Sequence, residues 1–378
     1  MGLAVVPIAI GWRLGSLAWY TRQAGQPTKP VAPAESAAST NTQAASVGST
    51  TSKLAELLTT DSKPTQPELA PLPESKVLIG GTQIFQTFNN CGPASLSMAL
   101  SYFGFTVGQG TLGQELRPYQ NPQGDNDDKS VTLEELAAKG EEYGLIAYHR
   151  PAGDIELLQQ FIAQDIPVVT RTWLYPDEDI GHYRVVKGYD LTTGELIQDD
   201  SLQGQNLRYG YQDFLQLWEV FNYEFLVLVP AEKQAVAEQL LGERADERAA
   251  WRLALEQAET RLAEVPGDIN VQLNRSVALY HLGEYRQSVQ AYEAVADRLP
   301  GRTLWYQIEP ILAYFELGEY DRVLQITQAV FDSQNRAFAE LHQLRGLIYQ
   351  ERGQTELAQQ EFALAQQYNS ANYWLHNL

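Results

Sequence analysis

Apolar positions follow four different patterns along the chain. Leu3 to Tyr20 is mostly apolar, whereas Gly25 to Lys76 holds no Phe, Trp or Tyr and is dominated by Ser, Thr, Ala, Pro and Gln. Residues 77–230 carry short apolar runs of mixed period, and from about Asp246 onward the period becomes helical. In the third of these, Leu96, Leu100 and Phe103 recur at helical spacing between Pro93, suited to a first turn, and Gly104, a natural C′ residue. Val131 to Tyr143 and Ile155 to Ala163 read as amphipathic helices, with a short strand at Ala147 to Arg150 between them. Ile166 to Trp173 reads as a buried strand, followed by a strand over Gly181 to Asp190, a turn at Thr192-Thr193-Gly194 and a returning strand over Glu195 to Asp200.

The helical tail repeats. Leu282-Gly283-Glu284-Tyr285 recurs as Leu317-Gly318-Glu319-Tyr320 and, more loosely, as Arg352-Gly353-Gln354-Thr355, an interval of about 35 residues. Each copy precedes an amphipathic stretch, and Pro266 and Pro300 close two earlier units. Trp251 to Val265 reads as the second helix of a degenerate opening unit. Such stacks leave a concave groove for a peptide or a partner protein.

Composition narrows the field. The 378 residues allow two or three domains. A net charge of −20 argues against a nucleic-acid partner, which needs a basic footprint, and is otherwise explained by solubility. The aromatic-free stretch 24–76 cannot bury enough apolar area to offset its ordering entropy and reads as a disordered tether of ~50 residues spanning ~40 Å. Residues 1–23 read as an export signal or membrane anchor, the alternative being a frayed terminus of a soluble, cytoplasmic protein: Arg13 costs about 2.5–3.5 kcal/mol at the centre of a span and no basic region precedes the apolar one. An anchor followed by a tether implies a protein held off a membrane, outside the cytoplasm.

Cys91 is the only cysteine, which excludes an intramolecular disulfide and a multi-thiolate metal site. It stands at the head of the helix that contains Pro93. Aligned peptide dipoles there favour a thiolate and lower its pKa, and the same amides can hold an oxyanion. Gln86, five residues upstream, can supply a second oxyanion donor. Of five histidines, His281, His342 and His376 fall in the helical tail. His149 has no evident acidic partner and is read as structural, leaving His182 as the base. The hairpin places His182 opposite position 200, give or take two, where a carboxylate would fix the imidazole tautomer. Asp199 and Asp200 point to opposite faces, and Asp200 is preferred; Asp199 then faces solvent or caps the next loop. Trp173, Tyr175 and Tyr183 are candidates for a peptide groove or for the core, and the acidic loop Asn121 to Lys129 lacks the pattern of a calcium site.

The segment Asn89-Asn90-Cys91-Gly92-Pro93-Ala94-Ser95, the Gly181-His182-Tyr183 strand and the Asp200-Ser201 strand end, in that order, resemble the C39-like branch of papain-fold cysteine peptidases. The resemblance runs from about Lys76 to Pro230. It implies an α+β papain-like domain with an antiparallel sheet (77–230), Cys91 as nucleophile, His182 as base, Asp200 as orienting acid, Gln86 as oxyanion donor, and no cofactor or metal. Two features depart from it: Ser201 stands where family members commonly have Pro, and no exporter membrane domain or ATPase motif accompanies the domain, so double-glycine leader specificity does not follow. The tail (231–378) resembles tetratricopeptide repeats, an all-α TPR-type domain. Together these imply a thiol-dependent peptidase acting on a peptide or protein, with repeats that recruit substrate or partner. An amidase or acyltransferase would use the same residues, and a non-catalytic interaction scaffold would keep the fold without turnover.

Overall fold

Strands form where β-branched and aromatic residues cluster between turn residues, and helices where a cap precedes a 3.6-residue period. The structure is a computed structural model and describes residues 67, 69–119, 130–176, 178–333 and 335–370. The first part runs β1 (Ser75–Val77), α1 (Cys91–Ser101), α2 (Gln109–Leu116), α3 (Leu133–Glu141), β2 (Ile146–Arg150), α4 (Ile155–Ala163), β3 (Val168–Trp173), β4 (Gly181–Asp190), β5 (Glu195–Asp200), β6 (Gly204–Gly210), α5 (Tyr211–Trp218) and β7 (Phe225–Val229). Among the described residues these strands make one antiparallel sheet in the order β2-β7-β3-β4-β5-β6. β1 pairs with the far end of β4, where β3 has stopped.

Helices cover both faces of the sheet. On one face α1 and α3 bring Leu96, Met98, Leu133 and Leu136 against Val169, Tyr183, Val185, Leu226 and Leu228. On the other, Phe161 of α4 and Phe214 and Trp218 of α5 pack against Val168, Val186, Phe225 and Val227. A strand covered on both sides has no solvent face, and every residue of β4 from His182 to Tyr189 is buried. The polar members of that run, His182, Arg184 and Lys187, therefore need partners inside the protein. Thr132 and Glu135 make a reciprocal capping box at the start of α3, and Asp154 caps α4 through the Leu157 amide.

The second part is helical. It comprises α6 (Gln234–Leu241), α7 (Glu247–Glu264), α8 (Ile269–His281), α9 (Tyr285–Glu293), the short α10 (Thr303–Tyr306), α11 (Glu309–Glu316), α12 (Tyr320–Asp332), α13 (Ala339–Glu351) and α14 (Thr355–Tyr368). The pairs α8–α9, α11–α12 and α13–α14 turn at Gly283, Gly318 and Gly353, whose φ angles of 81°, 71° and 68° lie in the left-handed region that favours glycine. α6 packs with the sheet core through Ala237, Leu240 and Leu241.

Several expectations change. Residues 69–76, at the end of the stretch anticipated as a disordered tether, are ordered. The Ala70 amide donates to Gln164, the Pro73 carbonyl accepts from the Tyr189 hydroxyl and Lys76 pairs with Asp165, which supplies partners the composition could not reveal. Trp173 and Tyr183 belong to packing: Trp173 lies edge-on to Phe221 and Tyr306, and the Tyr183 hydroxyl donates to the Val131 carbonyl. Tyr175 is exposed. Residues 1–23, most of the tether and the acidic loop 121–129 lie outside the described residues. Among the described residues no helix is long and apolar enough to cross a membrane.

Candidate functional site

Cys91 is the first residue of α1, as its position ahead of Pro93 predicts. Asn90 occupies the N-cap but makes no side-chain cap. Its Nδ2 donates to Thr87 Oγ1 at 2.7 Å, and its Oδ1 accepts from Arg117 Nη1 at 2.9 Å. A residue type that ordinarily occupies the first amides of a helix is thus turned aside, and those amides are not capped by it. The Cys91 and Gly92 amides face the sulfur, and the buried Arg117 guanidinium acts on it from the side. These three favour the thiolate, but burial outweighs them and pushes the thiol up to about 11. The expected low-pKa thiolate is therefore corrected: in this closed arrangement Cys91 is a neutral thiol, because desolvation of a charged sulfur exceeds what the helix end returns.

His182 is the second residue of β4, paired through its backbone with Thr172 of β3. On the other side Asp200 pairs with Arg184, two residues along, because the hairpin turns across Leu191–Gly194 with Asp190 facing Glu195. His182 and Arg184 share a face of the strand, and the Asp200 carboxylate serves both. Its Oδ1 accepts from His182 Nε2 at 3.0 Å, and its Oδ2 lies 3.1 Å from Arg184 Nε. The Leu202 and Gln203 amides also donate to Oδ1. Burial alone would raise this acid, but the imidazole, the guanidinium and the amides hold it down to about 2. An ionised Asp200 can only accept, so Nε2 carries the proton and Nδ1 keeps its lone pair. Burial lowers the pKa of His182 against the opposing pull of Asp200, so the ring is neutral at pH 7.

Gln86 lies on the loop leading into α1. Its backbone amide donates to the Ser201 carbonyl at 2.8 Å, and its Oε1 accepts from the Ser201 hydroxyl at 2.7 Å. The acceptor end of the side chain is thereby fixed on Ser201, the residue after Asp200, leaving Nε2 as the donor end. Gln83 reinforces the same corner, donating from Nε2 to the Asp200 carbonyl at 3.0 Å.

The structure thus joins His182 to Asp200 and Gln86 to Ser201, and the Asp200 charge acts on Cys91. Cys91 and His182 are not hydrogen-bonded to each other. Asp199 differs from expectation. It is buried against Lys187 at 2.7 Å and accepts from the Asn206 amide of β6. His149 does have an acidic partner, Glu224, at 3.3 Å, and Arg171 stands 3.6 Å from the same carboxylate. Arg184 and Arg117 join the site without having been among its expected residues. For Arg184 the signal was there: two residues after a strand histidine, it must share the histidine's face. Arg117 gave none, since its approach to Asn90 is tertiary. Among the described residues no cluster of His, Cys, Asp and Glu is disposed to hold a metal.

A model of the Peptidase_C39 like family matches residues 79–225, a span that contains Gln86, Cys91, His182 and Asp200. A crystal structure described as a C39-like peptidase from Bacillus anthracis is similar at 20% identity and a TM-score of 0.36, over 42% of this chain and 98% of that one. A MamA structure (AMB-1) is similar at 17% identity and a TM-score of 0.29, over 39% of this chain and 90% of that one. No curated protein matches the chain.

Proposed function

We propose that the part of the chain similar to the Peptidase_C39 like family is a thiol-dependent peptidase, with Cys91 as nucleophile and His182 as base. The observation that carries this reading is the Asp200–His182 hydrogen bond, which makes Nε2 the donor and reserves Nδ1 for the thiol. As substrate enters, the Cys91 S–H proton passes to Nδ1 and the sulfur attacks the scissile carbonyl carbon. The resulting oxyanion is held by the Cys91 and Gly92 amides and by Gln86 Nε2. Collapse breaks the C–N bond, and the imidazolium returns its proton to the leaving amine. Water, deprotonated by the same nitrogen, then hydrolyses the thioester, releasing the acid and restoring the thiol. Asp200 stays ionised throughout and stabilises the imidazolium.

The paired helices of the tail, with their glycine turns, are read as TPR-type repeats that recruit substrate or partner, and residues 1–23 as an export signal or membrane tether placing the protein outside the cytoplasm. Hydrolysis of a peptide library by the wild type and by Cys91→Ala tests the catalytic reading: activity that survives in Cys91→Ala sinks it. One observation favours a second reading, a non-catalytic interaction scaffold. The buried thiol at about 11 is not the reactive thiolate of a primed enzyme. A wild type that cleaves nothing in the library and alkylates no faster than a denatured control would establish that alternative.

A further inference from the structure

Gly181 opens β4 immediately before His182, and at this end β5 has already stopped at Asp200. His182 therefore has a backbone strand partner only on the β3 side. The segment leading into it is held instead from the helical part of the chain. The Tyr306 ring of α10 lies over Gly181 so closely that an added Cβ would meet its Cε1 at 2.8 Å. Its hydroxyl donates to the Asp179 carbonyl at 3.3 Å, and the Gly181 amide faces the Tyr306 phenol oxygen. Arg302 pairs with the Asp179 carboxylate at 3.1 Å. The Tyr306 carbonyl accepts from Arg171 Nη2 at 2.5 Å, and its ring packs edge-on against Trp173 and Phe221. Cys91 is near enough for its sulfur, when ionised, to act on the Tyr306 phenol. A ring bonded at its tip, stacked at its edges and tied through its own backbone has little freedom, and the segment beneath it inherits that rigidity.

We propose that Tyr306 is a positioning residue for His182: by clamping Asp179 to Gly181 it fixes the imidazole, so the helical part completes the thiol site as well as recruiting to it. This rests on reading Cys91 and His182 as the reacting pair. It requires the glycine at position 181, since any side chain there would collide with the ring and push the strand away.

The test uses the full chain and the rate of Cys91 alkylation by iodoacetamide from about pH 5 to 10. In the wild type this rate carries an inflection from His182 that His182→Ala removes. Tyr306→Ala is expected to lose the inflection and to lower kcat on a cleaved peptide on the order of tenfold, with KM little changed. Tyr306→Phe, which keeps the ring over Gly181 but loses the hydroxyl's bonds to Asp179 and Gly181, is expected to recover part of both. A folded Tyr306→Ala that keeps the wild-type profile overturns the proposal. Should that variant not fold, Gly181→Ala asks the same question from the strand side, and retention of the profile there overturns it equally. A wild type that matches His182→Ala sinks the thiol-site reading and this proposal together. An inflection present in the wild type and retained in Tyr306→Ala sinks only the latter.

Discussion

Asp200 has two duties, which makes its substitution hard to read as catalysis alone. Besides orienting His182 it is the counter-charge of Arg184, a guanidinium with no solvent exposure that cannot lose its proton. Asp200→Asn should therefore destabilise the fold by about 3–5 kcal/mol, the cost of an unpaired buried charge, measured by denaturant titration. His182→Gln leaves the Arg184 pair intact and should cost far less. The pH dependence of stability follows. Asp200 is depressed in the folded state from 3.8 to about 2, so its contribution, about 2 kcal/mol, is complete above the unfolded value and is lost as pH falls from 3.8 to about 2. His182, also depressed, resists the proton that an unfolded chain takes up below 6.5, so its penalty begins there. Melting temperatures should fall first below about pH 6.5 and then steeply below about pH 4. Activity should follow the same groups with a different outcome. A neutral thiol–imidazole pair needs His182 unprotonated and Cys91 protonated, which predicts an acid limb below pH 6.5 and no alkaline limb until near pH 11. An alkaline limb near pH 8 would show that substrate binding opens the site and lowers the thiol.

At the scale of elements, legibility tracks how local the cause of each element is. α4 begins and ends where its apolar period and Asp154 cap place it, and β4 and β5 match their sequence ranges because a Thr-Thr-Gly turn separates two runs of strand residues. The His182–Asp200 partnership was legible for the same reason, within the slack of a register counted from a turn. The precise pairing was not, because the ladder carries irregularities at Lys187 and Asp199, the two residues that form the buried ion pair. α2 has no clear signature in the sequence: QGTLGQEL has two glycines and a weak period, and the helix is held by Leu112 and Leu116 in the core and by Asn90 lying against Gly113. Ser75 and Lys76 of β1 fall within the stretch read as a tether because they carry no apolar pattern and gain their order from the end of β4 and, through Lys76, from Ala163 and Asp165. That docking gives a test. A Cβ on Gly188 would sit 2.7 Å from the Lys76 carbonyl and 3.2 Å from Ile197 Cβ, so Gly188→Ala must displace β1 or bend β5. It should cost about 1–3 kcal/mol in denaturant titration and speed amide exchange at Lys76 to Leu78.

At the scale of the whole molecule, the sheet and the helices behave as parts of one body. The Asn222 amide donates to Asn274 Oδ1, and Asn274 Nδ2 donates to the Glu219 carbonyl at 2.5 Å. A cavity of about 60 Å³ lies between the two parts, lined by His149, Arg171 and Glu224 from the sheet and by His281, Trp305 and Glu309 from the helices. Its volume suits a few buried waters, held by the His149, Arg171, Glu224 and Glu309 side chains within otherwise apolar walls. Arg171 is the keystone, because the same side chain reaches Glu224 within the sheet and the Tyr306 carbonyl across the junction. Replacing it by Met would leave Glu224 buried with only His149 beside it and remove the bond to α10, a loss of about 3–5 kcal/mol concentrated at the junction. The full chain should unfold in a single denaturant transition, with far-ultraviolet dichroism and tryptophan fluorescence coincident. Arg171→Met should split that transition in two, since each part keeps its own core while the coupling between them is gone. Because the junction runs through Tyr306 to the strand that bears His182, the same variant should lose thiol reactivity at a denaturant concentration where the sheet is still intact.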